Sequence, residues 1–311
     1  MQGNQALANR EYELAISFFD KAIALDDTFA MAYNNRGVAK LNNNRPAEAI
    51  QDYNEAIKIR EGYFEAIGNR AYAYELIKRY QSSIDDWSFL IQTFPDSATL
   101  HNAIGLIHAK NRNFEEAVQS FGNALTLDKD NDETMVNQGI ALFYLGRIPE
   151  AEESIKIAID LNPKNAHAYN ALSQLAANRE EYQESLLWLE KTLALESDNP
   201  YFINNLGFTY LMLDSLEMGL SFVNQSILIE GDNPWAFRNK GIFYLKSGRP
   251  QVALKYFQQV LESKEFVDEI HGYTGLAHQE RNDLAKACQA WTEGRRLKDQ
   301  LADRLHKKYC F

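Results

Sequence analysis

The side chains able to do chemistry are few and poorly spaced for it. The six histidines include two pairs, His101/His108 and His271/His278, each seven residues apart. On a helix that spacing separates the rings by roughly 10 Å, too far for one metal ion to bridge, so a packing role is the simpler reading. The two cysteines, Cys288 and Cys310, form neither a CxxC pair nor a zinc set, and two give no disulfide framework. No segment matches a phosphate-binding glycine loop, HExxH or a nucleophile elbow. This inventory predicts no catalytic residue, no metal and no cofactor. What recurs is an amide: Asn35, Asn69, Asn137, Asn205 and Asn239, joined by Asn34, Asn102, Asn170 and Asn204. A carboxamide offers an acceptor and two donors, so it can pair with both groups of an extended peptide unit. The expected chemistry is the holding of main chain.

The amides keep a register that belongs to the elements beneath them. A small residue falls at Gly3, Gly37, Ala71, Gly105, Gly139, Ser173, Gly207, Gly241 and Gly275, each 34 residues after the last, with no insertion. Twelve residues on comes another: Ala15, Ala49, Ser83, Ala117, Ala151, Ser185, Gly219, Ala253 and Ala287. Four further stands a large apolar residue: Phe19, Tyr53, Trp87, Phe121, Ile155, Leu189, Val223, Phe257 and Trp291. A fixed period of this length marks a repeat architecture. Within residues 98–131 the pattern predicts two amphipathic helices, 98–111 and 114–127. Gly105 and Ala117 let their backbones approach, and Phe121 fills the space behind. One hairpin cannot bury its apolar face alone, so neighbours stack into a continuous core.

The pattern resembles the tetratricopeptide repeat, which residues 132–165 carry as Met135, Gly139, Leu142, Ala151, Ile155, Ala158 and Pro163. The resemblance runs from residue 1 to about residue 301. It implies an all-α fold, a right-handed superhelical solenoid of antiparallel helix hairpins in a single array. The copies are 1–29, 30–63, 64–97, 98–131, 132–165, 166–199, 200–233, 234–267 and 268–301. Two departures stand out. Gly3 should be eighth in its copy but only two residues precede it, the pattern of a truncated start or a removed targeting segment. Leu90 replaces the usual Ala, Thr or Ser, so the third hairpin is expected to splay or shift. Residues 302–311 read as a capping helix or tail, since Leu301, Leu305 and Tyr309 recur every four residues. Such a cover suits the exposed end of an array. The alternative is an interaction tail built on Arg295, Arg296, Lys298, Arg304, Lys307 and Lys308.

In repeats of this kind the first helix of each hairpin lines the concave face, with positions 2, 5, 6, 9, 12 and 13 inward. By that resemblance the peptide-binding candidates are Asn35, Asn69, Tyr72, Asn137, Phe143, Tyr144, Asn170, Tyr201, Asn204, Asn205, Phe208, Trp235, Arg238 and Asn239. The amide row is similar to the asparagine ladder in the repeat arm of O-GlcNAc transferase. Ile140, Leu211, Met212 and Ile242 extend the apolar surface, and adjacent solvent-facing aromatics suggest binding. The same face carries Glu65, Glu75, Glu133, Glu269 and Glu280 against Lys110, Arg238 and Lys246. An extended or helical segment with apolar anchors fits it better than a highly charged one. Arg238 and Lys246, two helical turns apart, are placed to receive a carboxylate. A chaperone-tail carboxylate clamp is excluded, because Glu65 and Asn69 stand where its two cations belong.

Bulk properties narrow the function further. Thirty-two Lys and Arg against 43 Asp and Glu leave a formal charge of −11, which opposes nucleic-acid binding. Only 7 Pro and 16 Gly suit long helices without linkers. No stretch approaches the roughly 18 apolar residues of a membrane span. Nine copies account for the length and leave no room for a catalytic domain. The expected function is a non-catalytic protein–protein interaction scaffold holding an unknown protein or peptide. The alternative is a structural or oligomerising subunit of a larger envelope-associated complex, including homo-oligomers joined through the convex face or the ends. Scarce cysteines suit a cytoplasmic location, with a periplasmic lipoprotein cut from its anchor as the alternative.

Overall fold

The computed structural model describes residues 2–263 and 265–310, and every regular element among them is an α-helix. They fall into two compact units, residues 1–161 and 162–311. The N-terminal unit contains α1 (Gln2–Ala8), α2 (Tyr12–Leu25), α3 (Ala30–Asn42), α4 (Pro46–Ile59), α5 (Phe64–Leu76), α6 (Tyr80–Thr93), α7 (Ala98–Lys110), α8 (Phe114–Leu127), α9 (Asp132–Tyr144) and α10 (Ile148–Leu161). The C-terminal unit contains α11 (Ala166–Asn178), α12 (Tyr182–Leu195), α13 (Pro200–Met212), α14 (Leu216–Ile229), α15 (Pro234–Lys246), α16 (Pro250–Glu262), α17 (Ile270–Glu280), α18 (Leu284–Arg296) and α19 (Gln300–Tyr309). Consecutive pairs, beginning with α1 and α2, form the hairpins that the 34-residue period predicts, and the helices expected at 98–111 and 114–127 are α7 and α8.

Each hairpin is closed by one left-handed residue. Arg10, Asn44, Lys78, Arg112, Glu180, Asp214 and Asn282 have φ between 58 and 63°, and Gly146 and Gly248 occupy the same register. That conformation lets the chain reverse within three residues, although it suits only glycine and, less well, Asn or Asp. Inside the hairpin the small residue meets the large one directly. A Cβ on Gly37 would lie 2.6 Å from the Tyr53 ring, and one on Gly105 2.7 Å from that of Phe121. The aromatic ring therefore lies on the glycine itself, closer than the sequence suggests. Leu90, expected to disturb its hairpin, is buried next to Gly68.

Sequence signals also explain where first helices begin. The carboxamides of Asn131, Asn165, Asn199 and Asn233, spaced by 34 residues, accept hydrogen bonds from backbone N–H groups of α9, α11, α13 and α15. Such caps satisfy donors that a helix start leaves unpaired. Val267 occupies the equivalent position before α17 and has no such acceptor, and the helix starts only at Ile270, after a left-handed Glu269.

Two expectations need correction. Cys288 and Cys310, read as too few to matter, form a disulfide with a Cα–Cα distance of 5.7 Å. Spacing in sequence gave no sign of it because their proximity depends on α19 folding back along α18. The terminal helix begins at Gln300 rather than 302, since Asp299 caps it by accepting from Ala302 N–H at 2.8 Å. Leu301 and Ala302 are buried, which makes α19 a cover for α17 and α18.

Candidate functional site

The side chains of the first helices can be followed along single stripes. On α5 the residues Glu65, Asn69, Tyr72 and Leu76 recur at i, i+4, i+7 and i+11, which is one helical face. On α3 the same register holds Met31 and Asn35. Met31 is 49 %, Tyr72 48 % and Leu76 48 % exposed. Asn69 donates to Asn34 Oδ1 at 3.1 Å and Asn35 to Asn4 Oδ1 at 3.0 Å, which ties each first helix to the one before it. Glu65 accepts from Asn34 at 3.2 Å. On α9, Asn137 and Phe143 are half-buried, and Tyr144, 37 % exposed, stacks on Phe114 with centroids 4.8 Å apart. Asn102 accepts from the Thr134 hydroxyl at 3.2 Å, and Lys110 pairs with Glu75.

The C-terminal unit repeats the amide chemistry with its candidates drawn inward. Asn205 donates to Asn170 Oδ1 at 2.9 Å and Asn239 to Asn204 Oδ1 at 2.8 Å. Asn170, Asn204 and Asn239 are buried, as are Leu211 and Ile242, both read from sequence as groove surface. Arg238 is also buried. Its guanidinium donates to the Asp268 carboxylate at 2.6 Å and to the Asp268 carbonyl at 2.9 Å, and it lies 5.2 Å from the centroid of Phe208. Lys246 pairs with Asp214 at 2.8 Å. The two cations expected to share a carboxylate thus have acidic partners within the chain. Tyr201 donates to Glu230 at 2.8 Å, and Trp235 Nε1 donates to Asp268 at 3.1 Å. Burial together with the Glu230 carboxylate raises the Tyr201 hydroxyl to about 12.

Sequence reasoning missed the surroundings of Glu269. Burial first, then the charge of Asp268, lifts its carboxyl to about 7, although Arg238 and Arg304 pull it down. Its failed cap position, Val267, was the available signal. Of the paired histidines, His108 and His278 each bury an Nδ1 without a partner, and burial lowers both pKa values. His101 Nε2 sits 2.9 Å from the Pro95 carbonyl. Among the described residues no three His, Cys, Asp or Glu side chains come together as a metal site, and no helix is long and apolar enough to cross a membrane.

Known families answer the question of kinship. Tetratricopeptide repeat patterns match residues 30–63, 98–131, 136–200 and 239–295. The chain belongs to the tetratricopeptide repeat family. It is similar to human "Tetratricopeptide repeat protein 6", 22% identical over 206 residues, 65% of this chain and 39% of that protein. It is also similar to "Small glutamine-rich tetratricopeptide repeat-containing protein 2" of Saccharomyces cerevisiae, 30% identical over 129 residues, 42% of this chain and 35% of the relative. The chain therefore spans well under half of either relative. A tetratricopeptide repeat protein from Parabacteroides merdae shares the fold, with a TM-score of 0.67 at 13% identity over 80% of this chain and 98% of that one. The matched segments include α3, whereas α5 lies between two of them.

Proposed function

We propose that this tetratricopeptide repeat chain is a non-catalytic scaffold for protein interaction. In this reading the N-terminal unit receives an extended or helical segment along the stripes of α3 and α5. The observation that carries it is the near-half exposure of Met31, Tyr72 and Leu76 on first helices, where Phe64 of α5 is exposed as well. Exposed apolar side chains in one strip cost solvation unless a partner covers them. Asn35 and Asn69 flank the strip and each donates to the copy before it, and Asn35 Oδ1 also accepts from Asn34 at 3.2 Å. Glu65 adds an exposed acid, which favours a segment with a cation near its apolar anchors.

The amides of the C-terminal unit support a different role, since Asn239 and Arg238 are buried and bonded to their own chain. Their replacement would loosen the stacking of copies before it touched any ligand. The proposal is tested by panning a random peptide library against wild type and a Tyr72→Ala/Leu76→Ala variant, followed by fluorescence-anisotropy titration of the recovered peptides. Peptides rich in apolar anchors that lose tenfold or more in affinity for the variant support the reading. Equal affinity for both proteins overturns the placement on α3 and α5.

A further inference from the structure

The last helix touches the first hairpin of its own unit. Asn178, the final residue of α11, lies with its Nδ2 3.4 Å from Gln300 Oε1, and Arg304 Nη1 lies 3.0 Å from Glu180 Oε1. These partners are more than 120 residues apart in sequence, so α19 bridges the opening and closing hairpins of the C-terminal unit. Gln300 and Arg304 stand at i and i+4, one face of α19. A second face, with Leu301 and Ala302, packs on α17 and α18. Tyr182, at the start of α12, lies within the electrostatic reach of Glu269 and Arg304, so three separate elements converge there.

The bridging contacts are weak in themselves. Arg304 and Glu180 are 65 % and 61 % exposed, and ion pairs in that setting contribute little. A ten-residue helix is also too short to persist unsupported. What holds α19 in place is its two ends. Asp299 accepts from the backbone N–H groups of His271 and Gly272 at 3.0 and 3.1 Å and also caps the helix. At the far end Tyr309 stacks on Trp291 at 5.7 Å and the disulfide joins Cys310 to Cys288. Both cysteines are half-buried and so within reach of a small thiol.

We propose that α19 is a redox-released strap: fastened by Cys288–Cys310, it closes the C-terminal unit onto the α11–α12 turn, and reduction lets it go. The step needs a dithiol reductant. One thiolate attacks a sulfur of the bond and forms a mixed disulfide, and the second thiolate then displaces the protein sulfur. The protein gains two electrons and two protons as two thiols, and the reductant leaves as a disulfide. Without the bond the C-terminal end of α19 is held by the Tyr309 stack and the Leu305 contact, and the exposed Arg304–Glu180 pair cannot keep the helix against the turn. Release withdraws Arg304 from Glu269 and Tyr182. This inference is independent of the binding reading for the N-terminal unit.

Hydrogen exchange on the full chain, with and without dithiothreitol, tests it. Reduction is expected to speed exchange on the order of a hundredfold in residues 300–309, as expected for opening a loop of this length. A clear acceleration is expected in residues 176–184, with residues 30–144 unchanged. A Cys310→Ser variant should behave like the reduced protein, and if it does not fold the wild-type comparison stands alone. Acceleration confined to 300–309 would overturn the strap, because the turn would then not depend on it. Alkylation of both cysteines in the air-oxidised, natively folded protein would overturn it as well.

Discussion

At the scale of single residues, environment sets what each group can do. Glu269 stands beside Asp268, Asp299, Arg238, Arg304, Tyr273 and Tyr182, and its carboxyl is raised to about 7 from the ordinary 4.5. The raised value means that the folded unit favours the neutral acid. The associated stability is complete below about pH 4.5 and is lost as pH rises through about 7. Hydrogen exchange at the start of α17 should therefore quicken between about pH 4.5 and pH 7 by up to about tenfold per unit beyond the intrinsic chemical rate, and level off above that. Glu269→Gln should flatten that profile, and an unchanged profile would show that another group titrates. Gly105 is set by contact: an added methyl would press on Phe121. Gly105→Ala should cost about 1–3 kcal/mol in urea unfolding, the range for overpacked cores.

Helices are joined to their neighbours by devices that also repeat. Arg36 forms a two-pronged pair with Asp52, at 3.0 and 2.6 Å, and reaches back to Asp20 at 2.6 Å. Thirty-four residues later Arg70 does the same with Asp86 and Asn54. Each arginine thereby binds its own second helix to that of the preceding copy, with Asp52 largely shielded from water. Asp52→Ala leaves the Arg36 fork without its bidentate acceptor and should destabilise the α3–α4 hairpin by about 3 kcal/mol, read by urea denaturation. A loss below 0.5 kcal/mol would assign the pair no structural role. The turns are open to improvement. Arg10 holds φ at 63° in an exposed position, so Arg10→Gly should stabilise the α1–α2 hairpin by about 1 kcal/mol, seen as slower exchange in α2.

For the molecule as a whole, the two units differ in how they are secured. The N-terminal unit contains neither cysteine, whereas the C-terminal unit has its last helix covalently attached to α18. Three of the four tryptophans, Trp188, Trp235 and Trp291, lie in the C-terminal unit. Reduction should therefore lower the stability seen by tryptophan fluorescence in urea by about 3 kcal/mol, the scale expected for a loop of this length. Superimposable oxidised and reduced curves would show that the bond contributes nothing.

Much of this architecture is legible in one dimension because its contacts are local. A 34-residue period, a glycine sixteen residues before an aromatic and, before four of the first helices, a capping asparagine determine hairpins, because partners close in sequence meet whatever the rest of the chain does. The amides were legible as a row, yet their pairing with one another was not. Whether Asn239 faces a ligand or Asn204 depends on the spacing between stacked copies, a distance that no single helix contains. The same holds for Arg238, an exposed cation by pattern and a buried partner of Asp268 once the α16–α17 connection folds over it. Cys288 and Cys310, and the contact of Arg304 with Glu180, lie further still from sequence logic. They require the return of the final helix, and that return follows from the summed geometry of every hairpin stacked between Ala166 and Tyr309.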